Sequence, residues 1–240
     1  MSLTHRNWDR PQHSRPHYAP PLALFRKGSI ATHREKWCQQ SRNNPAVHSA
    51  VSMTQVAQPF SLRQLGPGDA AAFSALRREV TRENAVPMGL TFKEELTRTL
   101  EGFRAQLSSP SPNAVFGAFA GDALVATAAV SRVGQFPSSH HKMVMWGVFT
   151  SPLHRRQGIG RQLVATALRH AFRNSVHRVN LQVYVPNEPA IALYRAIGFV
   201  EYGVEREAVC LDGQYHDAVH MTLEISKCQL PLESPGLSTD

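Results

Sequence analysis

Two glycines one residue apart, Gly158 and Gly160, stand among Arg155, Arg156 and Arg161 in a turn between an apolar stretch and a helix-periodic one. Leu163, Ala167, Leu168 and Ala171 fall on one face of the helix this pattern predicts. The first turn of a helix carries backbone N–H groups without carbonyl partners, at the positive end of the helix dipole. Glycine lets an anion come close to those amides, and the arginines add charge. Such a turn can bind a diphosphate, although a Gly-rich turn between strand and helix also serves plain packing. It is not a Walker loop, because no Gly-Lys-Ser/Thr follows. It also misses the dinucleotide fingerprint, because Leu163 stands where the third small residue belongs. Gly66-Pro67-Gly68-Asp69-Ala70-Ala71 fits that fingerprint loosely, but Pro67 removes an amide donor.

The stretch VFTSPLHRRQGIGRQL resembles the acyl-CoA-binding motif of the GNAT N-acetyltransferase superfamily, in which a strand is followed by V-x-P-x-x-R/Q-x-x-G-x-G/A. A second block, VPNEPAIALYRAIGF, is similar to that family's downstream signature at Asn187, Ala190, Leu193, Tyr194, Gly198 and Phe199. Two motifs in the right order are more specific than either alone, and the resemblance covers about residues 59–226. It implies acetyl-CoA as co-substrate, with no metal. Its pantetheine arm would lie against the strand backbone at Val148, Phe149 and Thr150, and its diphosphate would sit on Arg156, Gln157, Gly158, Ile159, Gly160 and Arg161. Asn187 would hydrogen-bond near the thioester, and it also suits a plain helix N-cap. Tyr194 would be the general acid, and the Val148 amide would stabilise the oxyanion.

Acyl transfer to an amine needs a neutral amine, a donor for the oxyanion and a proton for the departing thiolate. At helical spacing with Ala190 and Ile191, Tyr194 also suits simple packing. Relatives that acetylate ribosomal protein N-termini carry a Glu where this chain has Gln182, which cannot accept a proton. His140, His141, Glu83 and Glu94 are the other acid–base groups of neighbouring segments. A lysine-like amine pays about 4.6 kcal/mol to become neutral at pH 7 and an α-amine about 1.2, so an acceptor of lower pKa suits a site without an obvious base. His216 and His220 share one face of a strand, but a zinc site needs a third ligand that this face lacks. The expected function is transfer of an acetyl group to a primary amine of a small molecule or a peptide. The alternative is a non-catalytic acyl-CoA-binding sensor that lost turnover with the Glu.

The elements that must position these groups follow from periodicity and turn residues. Strands are expected at 60–65, 114–120, 123–133, 143–150, 178–185, 199–210 and 215–225. Helices are expected at 70–82 with Asp69 as N-cap, at 92–107, at 158–172 and at 187–197. Gly121-Asp122 and Asp212-Gly213 read as hairpin turns. Only the middle of the chain alternates strand and helix. The fold class is therefore α/β: a GNAT-like mixed central sheet, antiparallel in its N-terminal half, with a parallel splayed strand pair at the centre and flanking helices.

Around this core, composition sets the limits. The 240 residues carry 26 Lys+Arg against 18 Asp+Glu, a net charge of +8. Eight of those bases, with only Asp9 and Glu35 against them, lie in residues 1–50. The excess therefore belongs to a Pro- and His-rich tail rather than to a basic folded surface, and nucleic acid is not an expected partner of the domain. Expected boundaries are a disordered tail over 1–57, an N-acetyltransferase domain over 58–226 and a flexible tail over 227–240. The N-terminal tail reads as a start-site artefact with Met53 as the alternative start, as an organellar leader, or as an arm for nucleic acid or an acidic partner, the last making a nucleic-acid-binding protein acting through residues 1–50 a second rival. No apolar run is long enough to span a bilayer, and Cys38, Cys210 and Cys228 form no disulfide framework. A cytoplasmic protein without a membrane partner is expected, and a homodimer stands open.

Overall fold

A computed structural model describes residues 60–232. The tail expected over 1–57, Met53 within it and residues 233–240 lie outside the described residues. In chain order the elements are β1 (Phe60–Gln64), α1 (Ala70–Glu83), α2 (Phe92–Thr97), α3 (Leu100–Leu107), β2 (Ala114–Ala120) and β3 (Ala123–Arg132). They continue as β4 (Lys142–Thr150), α4 (Ile159–Arg173), β5 (Arg178–Tyr184), α5 (Glu188–Arg195), β6 (Val200–Leu211) and β7 (Gln214–Glu224). The strands form one seven-stranded sheet in the order β1-β2-β3-β4-β5-β7-β6. Every neighbouring pair is antiparallel except β4 and β5, which run parallel. This is the mixed α/β architecture that the patterning and the resemblance imply.

Apolar faces decide the layers. Leu163, Val164, Ala167, Leu168 and Ala171 of α4 are buried on one face of the sheet against Phe116, Val130, Met143 and Val179. Phe73 of α1 and Phe103 of α3 meet edge to face at 5.7 Å on the other face, over Val115, Phe119 and Ala129. Helices therefore cover both faces of β2 and β3, so these strands read as unbroken apolar runs and not as alternation. Two-residue turns at Gly121-Asp122 and Asp212-Gly213 close the β2–β3 and β6–β7 hairpins, as their sequences predict.

Three local features differ from the sequence expectation. The helix expected over 92–107 is two helices, because Arg98 is extended and Thr99 starts a new one by accepting the Gly102 N–H at 3.1 Å. A threonine hydroxyl satisfies a first-turn amide better than it serves mid-helix, so two short capped helices win over one long one. Asp69 does precede α1, but its carboxylate turns back to the Gly66 N–H at 2.9 Å and to Arg63 and makes no cap bond to the helix. Packing also continues past residue 226. Cys228, Leu230 and Leu232 lie against the α4-side core, and Gln229 donates its N–H to the Ile197 carbonyl at 2.9 Å. No helix of the described residues is long and apolar enough to cross a membrane.

Candidate active site

The parallel pair at the centre of the sheet holds together only at its start. Lys142, Met143 and Val144 of β4 register with Arg178, Val179 and Asn180 of β5, and no pairing follows beyond them. A bulge drives the strands apart. Against β3, Thr127 faces Phe149 and Ala129 faces Trp146, so Gly147 and Val148 together oppose the single residue Ala128. Gly147 takes φ 61, a left-handed conformation that only glycine adopts freely, and its carbonyl accepts from the Thr127 hydroxyl at 2.8 Å. Val148 is left without a register partner on either side, and beyond Val144 the β5-facing edge of β4 has no neighbouring strand, which leaves room there for an incoming strand-like chain.

The splay opens into a cleft of about 510 Å³. Its β4 wall runs from Val144 to Phe149, and its β5 wall carries Asn180, Leu181, Gln182 and Tyr184. The turn Val86–Met88 contributes Pro87 and Met88, and Gly89 behind it packs so closely on the Tyr184 ring that a Cβ there would come within 2.3 Å. Tyr202 of β6 and His220 of β7 complete the lining. Gln182 donates from Nε2 to the Tyr184 hydroxyl at 2.6 Å. His220 Nε2 lies 3.0 Å from Glu205 Oε2.

The glycine turn sits just beyond the end of β4. Gly158 is the N-cap of α4 at φ 78, where a Cβ would meet no atom but the backbone conformation itself calls for glycine. Gly160 is different. A Cβ there would find only ordinary contacts, 3.8 Å from Leu193 Cδ2 and from Thr150 Oγ1, so nothing inside the protein requires its absence. The same contacts bring the end of β4, the first turn of α4 and the middle of α5 together. No side chain caps α4, and its first turn holds no acidic residue. The opening amides therefore have no partner from within the helix. Arg156 and Arg161 are exposed, and neither meets a carboxylate among the described residues. Arg155 is spoken for: it pairs with Glu83 of α1 and donates from Nε to the Thr150 carbonyl at 3.1 Å, so it fixes the turn and its charge is neutralised.

The remaining residues expected at the site lie on α5. Asn187 takes the N-cap position with φ −154 and ψ 59, yet its side chain makes no cap hydrogen bond. Tyr194 is buried against Phe199, ring centroids 5.5 Å apart, and does not line the cleft. Burial pushes its phenol well above the ordinary tyrosine pKa. Of the residues expected to hold the pantetheine arm, Val148 and Phe149 line the cleft and Thr150 faces the glycine turn.

The acid–base groups weighed from sequence do not reach the cleft. Glu83 is paired with Arg155, Glu94 closes a capping box with Thr91, and neither His140 nor His141 is in the lining. His216 Nδ1 lies 3.2 Å from the Val185 carbonyl oxygen. Sequence reasoning missed Tyr184, Tyr202 and the placement of His220. Alternation along β7 puts His220 on one face, but only the β5–β7 register sets it opposite Gln182.

With this geometry in place, comparison with known proteins is specific. Residues 78–199, half of the chain, match the Acetyltransferase (GNAT) family. The N-alpha-acetyltransferase RimI of Mycobacterium tuberculosis is 37% identical over 111 residues, covering 46% of this chain and 66% of that protein. The spermidine N(1)-acetyltransferase of Vibrio cholerae is 33% identical over 88 residues, covering 36% and 51%. This chain thus spans less than two thirds of either relative. The solved structure of yncA from Salmonella typhimurium, with its cofactor acetyl-CoA, superposes with a TM-score of 0.60 at 18% identity, over 72% of this chain and 97% of that one, a likeness of fold. The splayed parallel pair, the glycine turn at the head of α4 and the family match lead to one conclusion: the chain belongs to the GNAT acetyltransferase family.

Proposed function

We propose that this protein is an acyltransferase that moves an acetyl group from acetyl-CoA to a primary amine by direct attack. The observation that carries the reading is the splay of β4 from β5 around the bulge at Gly147 and Val148, which leaves the β4 edge without a strand partner beyond Val144 along a cleft, on a strand that leads through the glycine turn into an uncapped helix N-terminus. Unpaired main-chain donors and acceptors suit the amide-bearing pantetheine arm along Val148, Phe149 and Thr150. The α4 amides, with Arg156, Gln157, Gly158, Ile159, Gly160 and Arg161 around them, suit a diphosphate. Gly160 supports this further, since its missing side chain serves no packing need within the protein.

Within that reading the Val148 amide takes the oxyanion, and the uncommitted Asn187 side chain orients the thioester end of the arm. Tyr194 returns the proton to the thiolate. Burial keeps its phenol protonated at every working pH but weakens it as an acid, so its proton must move together with C–S cleavage.

The acceptor we infer is the α-amine of a peptide. Among the described residues no aspartate or glutamate lines the cleft, and the one Lys or Arg in its lining, Arg77, is matched by Glu95. A polyamine would bring several positive charges to a wall whose nearest carboxylate, Glu205, is already engaged by His220. An α-amine brings one, and costs only about 1.2 kcal/mol to neutralise at pH 7. The aromatic and amide side chains of Trp146, Tyr184 and Gln182 suit a peptide's first residues.

Calorimetry with coenzyme A and a thiol-release assay with acetyl-CoA test the proposal, using an alanine-initiated hexapeptide, spermidine and 2-phenylethylamine as acceptors. Tight coenzyme A binding with fastest turnover on the hexapeptide is expected. Binding without turnover on any amine would leave a non-catalytic acyl-CoA sensor, and no heat of binding would remove the site.

A further inference from the structure

The geometry points to His220, backed by Glu205, as the base that takes the proton from the acceptor amine. The inference rests on the acetyl-transfer reading above and supplies the group that reading lacks, since Gln182 cannot accept a proton. His220 stands directly opposite Gln182 in the β5–β7 register and directly opposite Gly203 in the β6–β7 register. Gly203 offers no side chain, so no side chain stands directly across from the imidazole on β6. The bulge between Glu201 and Gly203 brings Tyr202 in beside it, with ring centroids 5.8 Å apart. Both rings line the cleft.

His220 Nε2 donates to Glu205 Oε2 at 3.0 Å, which fixes the neutral tautomer with Nδ1 as the acceptor. Nδ1 has no hydrogen-bond partner among the described residues. The imidazole side chain is 25% exposed and the carboxylate 54%, so one end of the pair reaches the cleft and the other reaches solvent. The titratable groups that face His220 are Tyr202 and Glu205 from β6 and Tyr184 from β5; Arg77 of α1 lines the same cleft with its charge held by Glu95.

In the step, the acceptor ammonium gives one proton to His220 Nδ1, directly or through one water. The neutral nitrogen then attacks the thioester carbon. The new N–C bond forms, the C–S bond breaks with its electron pair leaving on sulfur, and the thiolate takes a proton from Tyr194. The second proton that the nitrogen loses as it becomes an amide goes to water, which restores the Tyr194 phenol. The proton on the imidazolium passes to bulk water past Glu205.

The test uses the full chain, acetyl-CoA and whichever of the three amines named above the wild type acetylates fastest. His220→Gln should lower kcat/KM about 100-fold near pH 7 and leave the coenzyme A Kd unchanged. Its deficit should shrink as the pH is raised to about 9, where an α-amine is already neutral. Glu205→Gln, on a more exposed side chain, should give the same pattern with a smaller loss, which keeps the test informative if the histidine variant folds poorly. A histidine variant with wild-type kcat/KM, or a deficit equal at both pH values, overturns the assignment while the acetyl-transfer reading stands. A wild type that binds coenzyme A but acetylates none of the amines overturns both.

Discussion

Arg77 of α1 and Glu95 of α2 are joined by two parallel hydrogen bonds, Nε to Oε1 at 2.9 Å and Nη2 to Oε2 at 2.8 Å, with the carboxylate wholly buried. Arg98 lies 3.8 Å from the same carboxylate. Burial lowers the Arg98 pKa, the charge of Arg77 lowers it further, and Glu95 opposes both. One buried anion thus holds two cations and fastens the short helix α2 to the middle of α1, where Arg77 lines the cleft.

Removing that anion should therefore cost far more than a surface ion pair would. Glu95→Gln leaves Arg77 buried beside Arg98 without a counter-charge, and a loss of about 3–5 kcal/mol follows. For a domain of this size that is a fall in Tm of roughly 6–20 °C. The double variant Arg77→Met/Glu95→Met should recover much of the loss, because only the part-exposed Arg98 then lacks its counter-charge. Thermal melts of the three proteins check this, and a Glu95→Gln variant as stable as wild type would contradict it.

Acid should weaken the protein through Asp69. A hydrogen bond from Arg63 is the main reason its carboxyl is held below the ordinary value; burial opposes this, and the Gly66 N–H and the Arg63 charge add to the lowering. The unfolded chain thus binds this proton more readily than the folded one. The contribution is complete above the ordinary aspartate value of about 3.9 and is lost as pH falls through the lower folded value. Urea midpoints at about pH 7 and pH 3 should differ less in Asp69→Asn than in wild type. Glu94, Asp217 and Glu224 are held low as well, so part of the acid sensitivity should persist in the variant.

Asp69 also marks where sequence reading reaches its limit. Its type and position identify a helix start, but the choice between capping α1 and turning back to Arg63 depends on how β1 lies beside the turn. The strands, the sheet's central parallel pair and the glycine turn were legible, because period and turn residues act locally. The acceptor wall was not. Tyr202 faces the cleft only because a bulge shifts β6 by one residue, and His220 meets Gln182 only through a long-range register. The split of 92–107 lay between these cases: Thr91 and Thr99 are visible caps, but the apolar spacing continues across them.

The two glycines of the turn should separate fold from ligand binding. Gly158 needs its left-handed backbone, so Gly158→Ala should destabilise the protein by about 1–2 kcal/mol even though a methyl group there meets no atom. Gly160 lies in the first turn of α4 with room for a Cβ, and Ala is a better helix former there, so Gly160→Ala should leave stability unchanged or raise it by up to about 1 kcal/mol. If the amides of that turn hold a diphosphate, the same methyl group stands between them and the anion, and the coenzyme A Kd should rise about tenfold or more. Denaturation and calorimetry on the pair give opposite patterns: Gly158→Ala is less stable, while Gly160→Ala is stable but binds weakly. A Gly160→Ala protein that binds coenzyme A as wild type does would mean that the ligand does not approach the main chain at this turn.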